Sequence, residues 1–265
     1  MSHIEQTRAV VEAEETHDGR IIPAKQAEID RLVRLQRDST VCGSVYGGTV
    51  EVNERATVEG SVMASDGIDL AGANITGEVG TPDKVTASDA RVDGTVTGKH
   101  VLLSDCVVRG NVVGSEVILE DCVVLGIATA DRSLTVENSL CYTVRAEDEA
   151  IVDELTIVLP QAIMKGAIDL QSPVAVAGLG SIDVENDGDG RLPEMDADDL
   201  YEQGNTTYLT LAPRILNLQK VTDRLSELED AVMTAVDDTS DSAEMSVEDV
   251  FERLKVDTER ISPLD

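Results

Sequence analysis

The sequence predicts an all-β core built as a right-handed, three-sided β-helix, with short helical flanks on its N- and C-terminal sides. Three observations predict this fold: a repeated Val-x-Gly-x-Val phrase, two further apolar tracks of the same 16–17-residue period, and a near absence of aromatic residues. The 265 residues include one Phe, four Tyr and no Trp, and a thin core of Val, Ile, Leu and Ala needs no aromatic side chains.

The repeated phrase sets the length of each coil. Its copies begin 17, 17, 17, 16 and 16 residues apart, at Val41, Val58, Ile75, Val92, Val108 and Val124. We predict that its closing valines form one core ladder, comprising Val45, Val62, Val79, Val96 and Val112. We assign its central glycines to corners between strands, namely Gly43, Gly60, Gly77, Gly94, Gly110 and Gly126. Degenerate copies without the glycine begin at Leu140 and Leu155.

Two other tracks keep the same period. One is an alternating apolar pair, at Val50/Val52, Ile68/Leu70, Val85/Ala87, Val101/Leu103, Val117/Leu119, Leu134/Val136, Ile168/Leu170 and Ile182/Val184. The other is a small residue, at Ala56, Ala73, Ala90, Cys106 and Cys122. Parallel coils stacked about 4.8 Å apart would align these tracks, giving eight or nine coils and a rod about 40 Å long. The coils are shorter than three hexapeptide units, which favours the right-handed form over the left-handed hexapeptide β-helix.

The repeats divide the chain into four parts. Residues 1–39 form an N-terminal tail with a capping or amphipathic helix, 40–184 the β-helix, 185–205 an acidic loop, and 206–265 a final strand and a helical tail. Within the first part, residues 20–37 hold five basic and two acidic residues, and Ile29, Leu32 and Val33 fall on one side of a helix that starts near Pro23. This helix either caps the first coil or contacts an anionic membrane, and its narrow apolar face favours the cap.

The C-terminal tail carries a second amphipathic pattern. A heptad rhythm runs through Leu218, Val221, Leu225, Leu228, Val232 and Ala235. Such a helix either packs against the barrel or binds a partner protein. A shorter amphipathic helix begins at Ser246 and contains Phe251, the single phenylalanine of the chain.

The charge balance excludes one class of partner and indicates an environment. With 52 Asp and Glu against 21 Lys and Arg, the formal net charge is −31, which argues against nucleic-acid binding. An acidic, aromatic-poor surface is typical of proteins that stay hydrated in molar salt, where charge repulsion is screened. There is no apolar run of membrane-spanning length and no signal peptide pattern, so we predict a cytoplasmic protein.

No catalytic, cofactor or metal site is predicted. The three histidines, His3, His17 and His100, are too scattered for a metal cluster or a triad, so an enzyme is not expected. Asp183–Glu194 nearly fits a calcium loop, but Pro193 stands where an exiting helix should begin, and an exposed acidic loop is the favoured interpretation.

The four cysteines test which residues of each strand face the core and which face outward. Cys106 and Cys122 share the small-residue track, so they should lie inside the core, one coil apart and as free thiols. Cys42 and Cys141 precede the corner position of their coils, so we predict that both face outward.

A short β-helix of Val-x-Gly-x-Val coils with non-repetitive flanks resembles the bactofilin family over residues 40–184, and the acidic surface is similar to its haloarchaeal members, the halofilins. The resemblance implies a cytoskeletal protein without a nucleotide, whose coils join end to end into nonpolar filaments and recruit cell-shape proteins. The alternative is a capped β-helix that does not polymerise and binds a partner protein through its C-terminal helices.

Overall fold

The computed structural model describes residues 3–4, 8–22, 30–177 and 194–210, together with the isolated helical positions 226, 230 and 234. Apart from one 3-10 helix at Ala197–Asp199, the regular structure in the continuous ranges is β-strand. The first strands are β1 (His3–Ile4), β2 (Arg8–Val11), β3 (Thr16–His17), β4 (Leu32–Leu35), β5 (Thr40–Val41), β6 (Val45–Val52), β7 (Thr57–Val58), β8 (Val62–Ala71), β9 (Asn74–Ile75), β10 (Val79–Gly80), β11 (Lys84–Ser88), β12 (Arg91–Val92) and β13 (Val96–Thr97). The remaining strands are β14 (His100–Ser104), β15 (Val107–Val108), β16 (Val112–Glu120), β17 (Val123–Glu137), β18 (Leu140–Ala146), β19 (Glu149–Asp153), β20 (Thr156–Ile157), β21 (Gln161–Met164), β22 (Ala167–Leu170), β23 (Val174–Val176), β24 (Glu194–Met195), β25 (Leu200–Gln203) and β26 (Thr206–Thr210).

Apart from β1 and β24–β26, these strands stack in three parallel ladders, numbered in the order in which the chain passes through them in each coil. Ladder 1 contains β3, β5, β7, β9, β12, β15, the starts of β17 and β18, β20 and β23. Ladder 2 contains the starts of β6 and β8, β10, β13, the start of β16, the middle of β17, the end of β18, and β21. Ladder 3 contains β2, β4, the ends of β6 and β8, β11, β14, the ends of β16 and β17, β19 and β22.

The result is a parallel β-solenoid of about 8 coils, which confirms the predicted all-β solenoid. Alternation along each strand sends every second side chain into the core, as in β14, where Val101 and Leu103 are buried between partly exposed neighbours. The alternating pair predicted from the sequence lies in register along ladder 3. Ala150 and Val152, which the sequence tracks omitted, supply the rung between Leu134/Val136 and Ile168/Leu170. The last predicted pair, Ile182/Val184, lies outside the described residues.

The N-terminal boundary differs from the prediction. The helix predicted to start near Pro23 is wrong in its C-terminal part, because Leu32–Leu35 is strand β4 and pairs in parallel with both β2 and β6. Val33 and Leu35 are buried and stand opposite Val50 and Val52, so they belong to the alternating track one coil earlier. The solenoid therefore begins before residue 40; residues 23–29 lie outside the described part of the chain.

The C-terminal region also differs from its predicted loop. Part of the segment assigned to an acidic loop, residues 194–203, forms β24, the 3-10 helix and β25. The final strand, β26, is antiparallel to its neighbours and adds no further coil. The six heptad positions between 218 and 235 lie outside the described residues. Three residues between them, Ser226, Asp230 and Thr234, are described and are helical and exposed. The Thr234 hydroxyl donates to the Asp230 carbonyl at 2.8 Å.

Candidate functional site

The predicted valine ladder runs along the inner side of ladder 2. Each valine stands in register with the next one along the solenoid, and each has 1% exposed surface or less: Val45, Val62, Val79, Val96 and Val112. Ala128 and Val144 continue the same column through the next two coils. The column gives the solenoid a continuous aliphatic core but presents no reactive group.

The six corner glycines lie between ladders 1 and 2, where neighbouring coils stack closely. A Cβ added to Gly94 would lie 2.5 Å from the carbonyl oxygen of Gly77, and one added to Gly60 would lie 2.8 Å from the carbonyl carbon of Gly43. None of the six, all of which the structure describes, has a positive φ. Glycine is therefore needed here because the adjacent backbone leaves no room for a side chain.

At four of the six corners, the side chain of the residue after the glycine accepts a hydrogen bond from the next coil. The Ser44 hydroxyl accepts from the Ser61 amide at 3.2 Å, and the Ser61 hydroxyl accepts from the Glu78 amide at 3.2 Å. Further along, the Asn111 side-chain carbonyl accepts from the Ile127 amide at 2.9 Å. Polar side chains at this column thus satisfy backbone amides that the tight corner would leave without a partner.

A second corner, between ladders 3 and 1, turns through left-handed backbone that the sequence interpretation missed. One residue per coil there has a positive φ: Glu14, Asp38, Arg55, Gly72, Asp89, Asp105, Asp121, Asn138 and Glu154. Aspartate, asparagine and glycine predominate because they adopt this conformation at the lowest cost. The signal that could have found this corner is their recurrence one residue before the small-residue track.

Side chains at this second corner form hydrogen bonds along the solenoid. Arg55 donates from Nε and Nη2 to the two carboxylate oxygens of Asp38, each at 2.6 Å, and this hydrogen bonding lowers the pKa of Asp38. Five coils further on, Asn138 donates to Asp121 at 2.5 Å. Both contacts link one coil to the next on a solvated edge, so their effect on stability is small.

Three cysteines are buried and one is exposed. Cys106 and Cys122 lie inside the core, with thiols that donate to the carbonyls of Ser104 at 3.1 Å and Glu120 at 3.2 Å. Burial, followed by a hydrogen bond with Cys106, raises the pKa of the Cys122 thiol. Cys42 is exposed, as predicted from its phase.

The outward assignment of Cys141 is wrong. Cys141 is fully buried, and burial raises the pKa of its thiol to about 12. It pairs with Val124 on one side and Ile157 on the other, so it occupies the first position of the repeated phrase. The degenerate copy thus begins at Cys141, and the phase read from Leu140 is displaced by one residue, which moves every side chain to the opposite face.

The C-terminal end of the solenoid is closed over two ladders. Strand β24 pairs antiparallel with β23, and β26 pairs antiparallel with β21 while β25 pairs with β26 on its far side. Met195 and Leu209 from these strands are fully buried and join the core cluster. We name β24, β25 and β26 the cap strands.

The cap strands do not pair with ladder 3. Its last strand, β22, pairs with β19, which is its sole strand partner among the described residues. Ile168 and Leu170 of β22 pack against the core but remain partly exposed, while Ala167 and Asp169 are exposed. At the opposite end, ladder 3 is continued by β1, which pairs antiparallel with β2. Edge strand β22 is therefore the candidate surface for association at the C-terminal end.

Comparison of the chain with protein-family models, with curated proteins and with solved structures finds no match. The fold and the two ends define the class of protein, a parallel β-solenoid with an antiparallel cap. Within the described ranges, no group of three or more His, Cys, Asp or Glu side chains could hold a metal ion, and no helix has the length and apolarity to cross a bilayer. Apart from Glu194, the calcium-loop residues Asp183–Glu194 lie outside those ranges.

Proposed function

We propose that the chain is a bactofilin-like structural scaffold that associates end to end into homopolymers or homo-oligomers and contributes to cell shape. On this proposal the solenoid is right-handed and three-sided, acts in the cytoplasm and uses neither cofactor nor catalytic residue. Its partners are other copies of itself and, through the C-terminal helices, other cell-shape proteins. A net charge of −31 disfavours nucleic acid, and contact of residues 20–37 with a membrane is not favoured.

The observation that carries this proposal is the edge at β22. An edge strand offers a row of backbone donors and acceptors that can pair with another chain unless something covers them. The side chains of Ile168 and Leu170 form the last rung of the core and are partly exposed, so a second copy stacked there would bury them. Uniform parallel coils also give association a fixed direction along the solenoid axis.

A specific observation favours a second candidate, a capped solenoid that binds a partner without polymerising. The cap strands close ladders 1 and 2 at the C-terminal end, and Met195 and Leu209 seal the core beneath them. Antiparallel capping strands are one way in which solenoids and sheets avoid unlimited edge-to-edge growth. The two candidates differ in whether β22 associates.

The test is a charge placed on the edge strand and, as a matched control, on the side of the solenoid. Ile168→Lys introduces an ammonium at the end of ladder 3, whereas Ile118→Lys introduces the same group on its outer face, where Ile118 is 42% exposed. Light scattering after size exclusion, and negative-stain microscopy in about 2 M KCl, would measure assembly under screened conditions.

Filaments or defined oligomers in the unaltered protein and in Ile118→Lys, with monomers in Ile168→Lys, would support the scaffold. A monomeric unaltered protein across the concentration range would contradict it and favour the capped adaptor. Assembly that persists in Ile168→Lys would show that β22 is not the associating edge.

A further inference from the structure

The outer side of ladder 1 carries a buried apolar patch in its C-terminal half. Val124, Cys141 and Ile157 point into the core and belong to its cluster. Their strand neighbours Val123, Leu140 and Thr156 therefore point outward, because successive side chains alternate between the two faces of a strand. Consistent with that orientation, Val123 and Leu140 are buried but are not members of the core cluster.

These outward side chains are as inaccessible as the core itself. Val123 and Leu140 are 0% exposed, Thr156 is 6% exposed and Val158 is 2% exposed; we name these four residues the outer patch. From Thr16 to Arg91 the side chains of this column are polar, and Asn74 among them is exposed. The next member, Val107, is apolar but still partly exposed. The change from accessible to inaccessible side chains between Val107 and Val123 indicates that a further layer covers the outer patch.

The exposures of these four residues are those of a single chain, so the atoms that cover the outer patch belong to the same chain. Every strand pairing of the described residues runs within the three ladders or adds a strand to one of their ends, and such edge pairing does not cover a sheet face. We propose that the C-terminal segment 211–235 packs its apolar side onto the outer patch. This inference is independent of end-to-end association and goes beyond it.

The exit of the cap strands places this segment beside the patch. Strand β26 ends with Thr210, which stands opposite Gln161, and the Thr210 hydroxyl lies 3.4 Å from the carbonyl oxygen of Pro160. Residues 158–160 form the corner that directly follows ladder 1 in the last coil, and Val158 belongs to the outer patch. The chain after Thr210 therefore begins at the margin of the patch.

The three described helical positions identify the side of the segment that faces water. Ser226, Asp230 and Thr234 are spaced by four residues, which places them on one face of a helix, and all three are exposed. In a continuous helix, at 100° per residue, Leu225, Leu228 and Val232 would fall on the opposite face. That face matches the outer patch in chemistry, since neither carries a charge and three of the four patch residues are aliphatic, Thr156 being the polar one.

The length of the proposed helix also agrees with the extent of the outer patch along the solenoid. A helix over Leu218–Ala235 spans about 27 Å at 1.5 Å per residue. The outer patch covers three coils, about 10 Å at the usual strand spacing, and Val107 and Ala175 extend its column by one coil each way to about 19 Å. On this arrangement the apolar side of the segment is occupied within the molecule, and partners meet its polar side.

The experiment uses the full-length chain with a reporter thiol in the patch. Val123→Cys is placed in a Cys42→Ser background, and labelling by a polyethylene glycol maleimide is followed over time. Leu225→Asp/Leu228→Asp disrupts the apolar side of the segment, and Ser226→Asp/Thr234→Asp adds the same charge on its exposed side as the control. Cys106 in the core reports global unfolding in the same sample.

We expect labelling of Cys at position 123 to be at least about tenfold faster in the apolar-side variant than in the control, with Cys106 unchanged. Equal, slow labelling in both would overturn the proposal. Faster labelling caused instead by Ile182→Asp would assign the cover to residues 178–193, and faster labelling on dilution would assign it to a second copy. If Cys106 also becomes reactive in the apolar-side variant, that variant is unfolded. The milder Leu228→Ser, with Thr156→Cys as the reporter, is then compared with the same control.

Discussion

Glycine at the corner between ladders 1 and 2 is required by the neighbouring backbone. The carbonyl oxygen of Gly77 lies 2.5 Å from where a Cβ of Gly94 would be, so even alanine forces the coils apart. A glycine elsewhere in the solenoid has no such constraint: a Cβ on Gly67 would meet the carbonyl oxygen of Lys84 at 3.5 Å, an ordinary contact. The same residue type thus has two different roles in one strand system.

We predict that Gly94→Ala lowers the free energy of unfolding by about 2 kcal/mol, as overpacking does, while Gly67→Ala leaves it nearly unchanged. Urea denaturation followed by circular dichroism would measure both. Equal effects of the two substitutions would mean that coil spacing at the corner adjusts freely.

Thiol reactivity tests the placement of the four cysteines. Cys42 is exposed, whereas Cys106, Cys122 and Cys141 are buried. Desolvation and, next, a hydrogen bond with Glu59 raise the pKa of Cys42, so the assay is best run at alkaline pH. We expect one fast thiol in the native protein and three that react after denaturation, as read by mass spectrometry of labelled peptides. Rapid native labelling of Cys141 would restore the phase first read from the sequence.

At the scale of the strand, one substitution separates the two sides of ladder 2. Val96 is 1% exposed and stands between Val79 and Val112, whereas the next residue, Thr97, is exposed. Val96→Asp would bury a carboxylate without a partner and should cost several kcal/mol, about 3 or more. Thr97→Asp should cost less than about 1 kcal/mol. Thermal melting of the two variants measures the difference, and similar melting temperatures would contradict the assigned register.

An ion-pair cluster links β18 to the coil that follows it. Glu147 accepts from Arg145 at 2.6 Å and is also bonded by Lys165, and these hydrogen bonds, Lys165 first, lower the pKa of Glu147. A carboxyl with a lowered folded-state pKa contributes stability above its unfolded pKa of about 4.3, and that contribution is lost as the pH falls through the folded value. The cluster therefore acts at neutral pH.

Glu147→Gln should melt at a lower temperature than the unaltered protein at pH 7, and the gap should close below about pH 4. Glu149→Gln, at an exposed position two residues along, is the control. A gap that persists unchanged in acid would mean that Glu147 acts through packing and not through its charge.

For the whole molecule, charge is the dominant long-range term. A net charge of −31 on 265 residues repels itself over about 10 Å at 0.1 M salt but over about 3 Å at 1 M. We predict that the free energy of unfolding and the extent of assembly both rise between 0.1 and about 2 M KCl. Denaturant titrations at the two salt concentrations would measure the first, and light scattering the second. Equal stability at both would remove the basis for a halophilic protein.

The period and the inward phase of the early coils are readable from the sequence. Val45 to Val112, the alternating pairs of ladder 3 and the small-residue track recur because each coil buries one face and exposes the other, which imposes a period of two within strands and of 16 or 17 between them. The one-residue error in the predicted register at Cys141 arises where this alternation fails. Both Leu140 and Cys141 are buried, as are Val123 and Val124, so the alternation of buried and exposed residues disappears in this part of ladder 1.

The ends of the solenoid depended on tertiary structure. Strand β4 lies in a basic segment whose apolar residues also fit a helix. Its pairing with β6 in the folded chain shows that the segment is a strand. The cap strands carry no repeat, because antiparallel pairing such as that of β26 with β21, some 50 residues apart in sequence, leaves no local period. Local sequence patterns determine which side of a strand is buried. Where the repeat stops, the neighbour of each last strand is determined by which strand edges still lack a partner, and only the tertiary structure shows that.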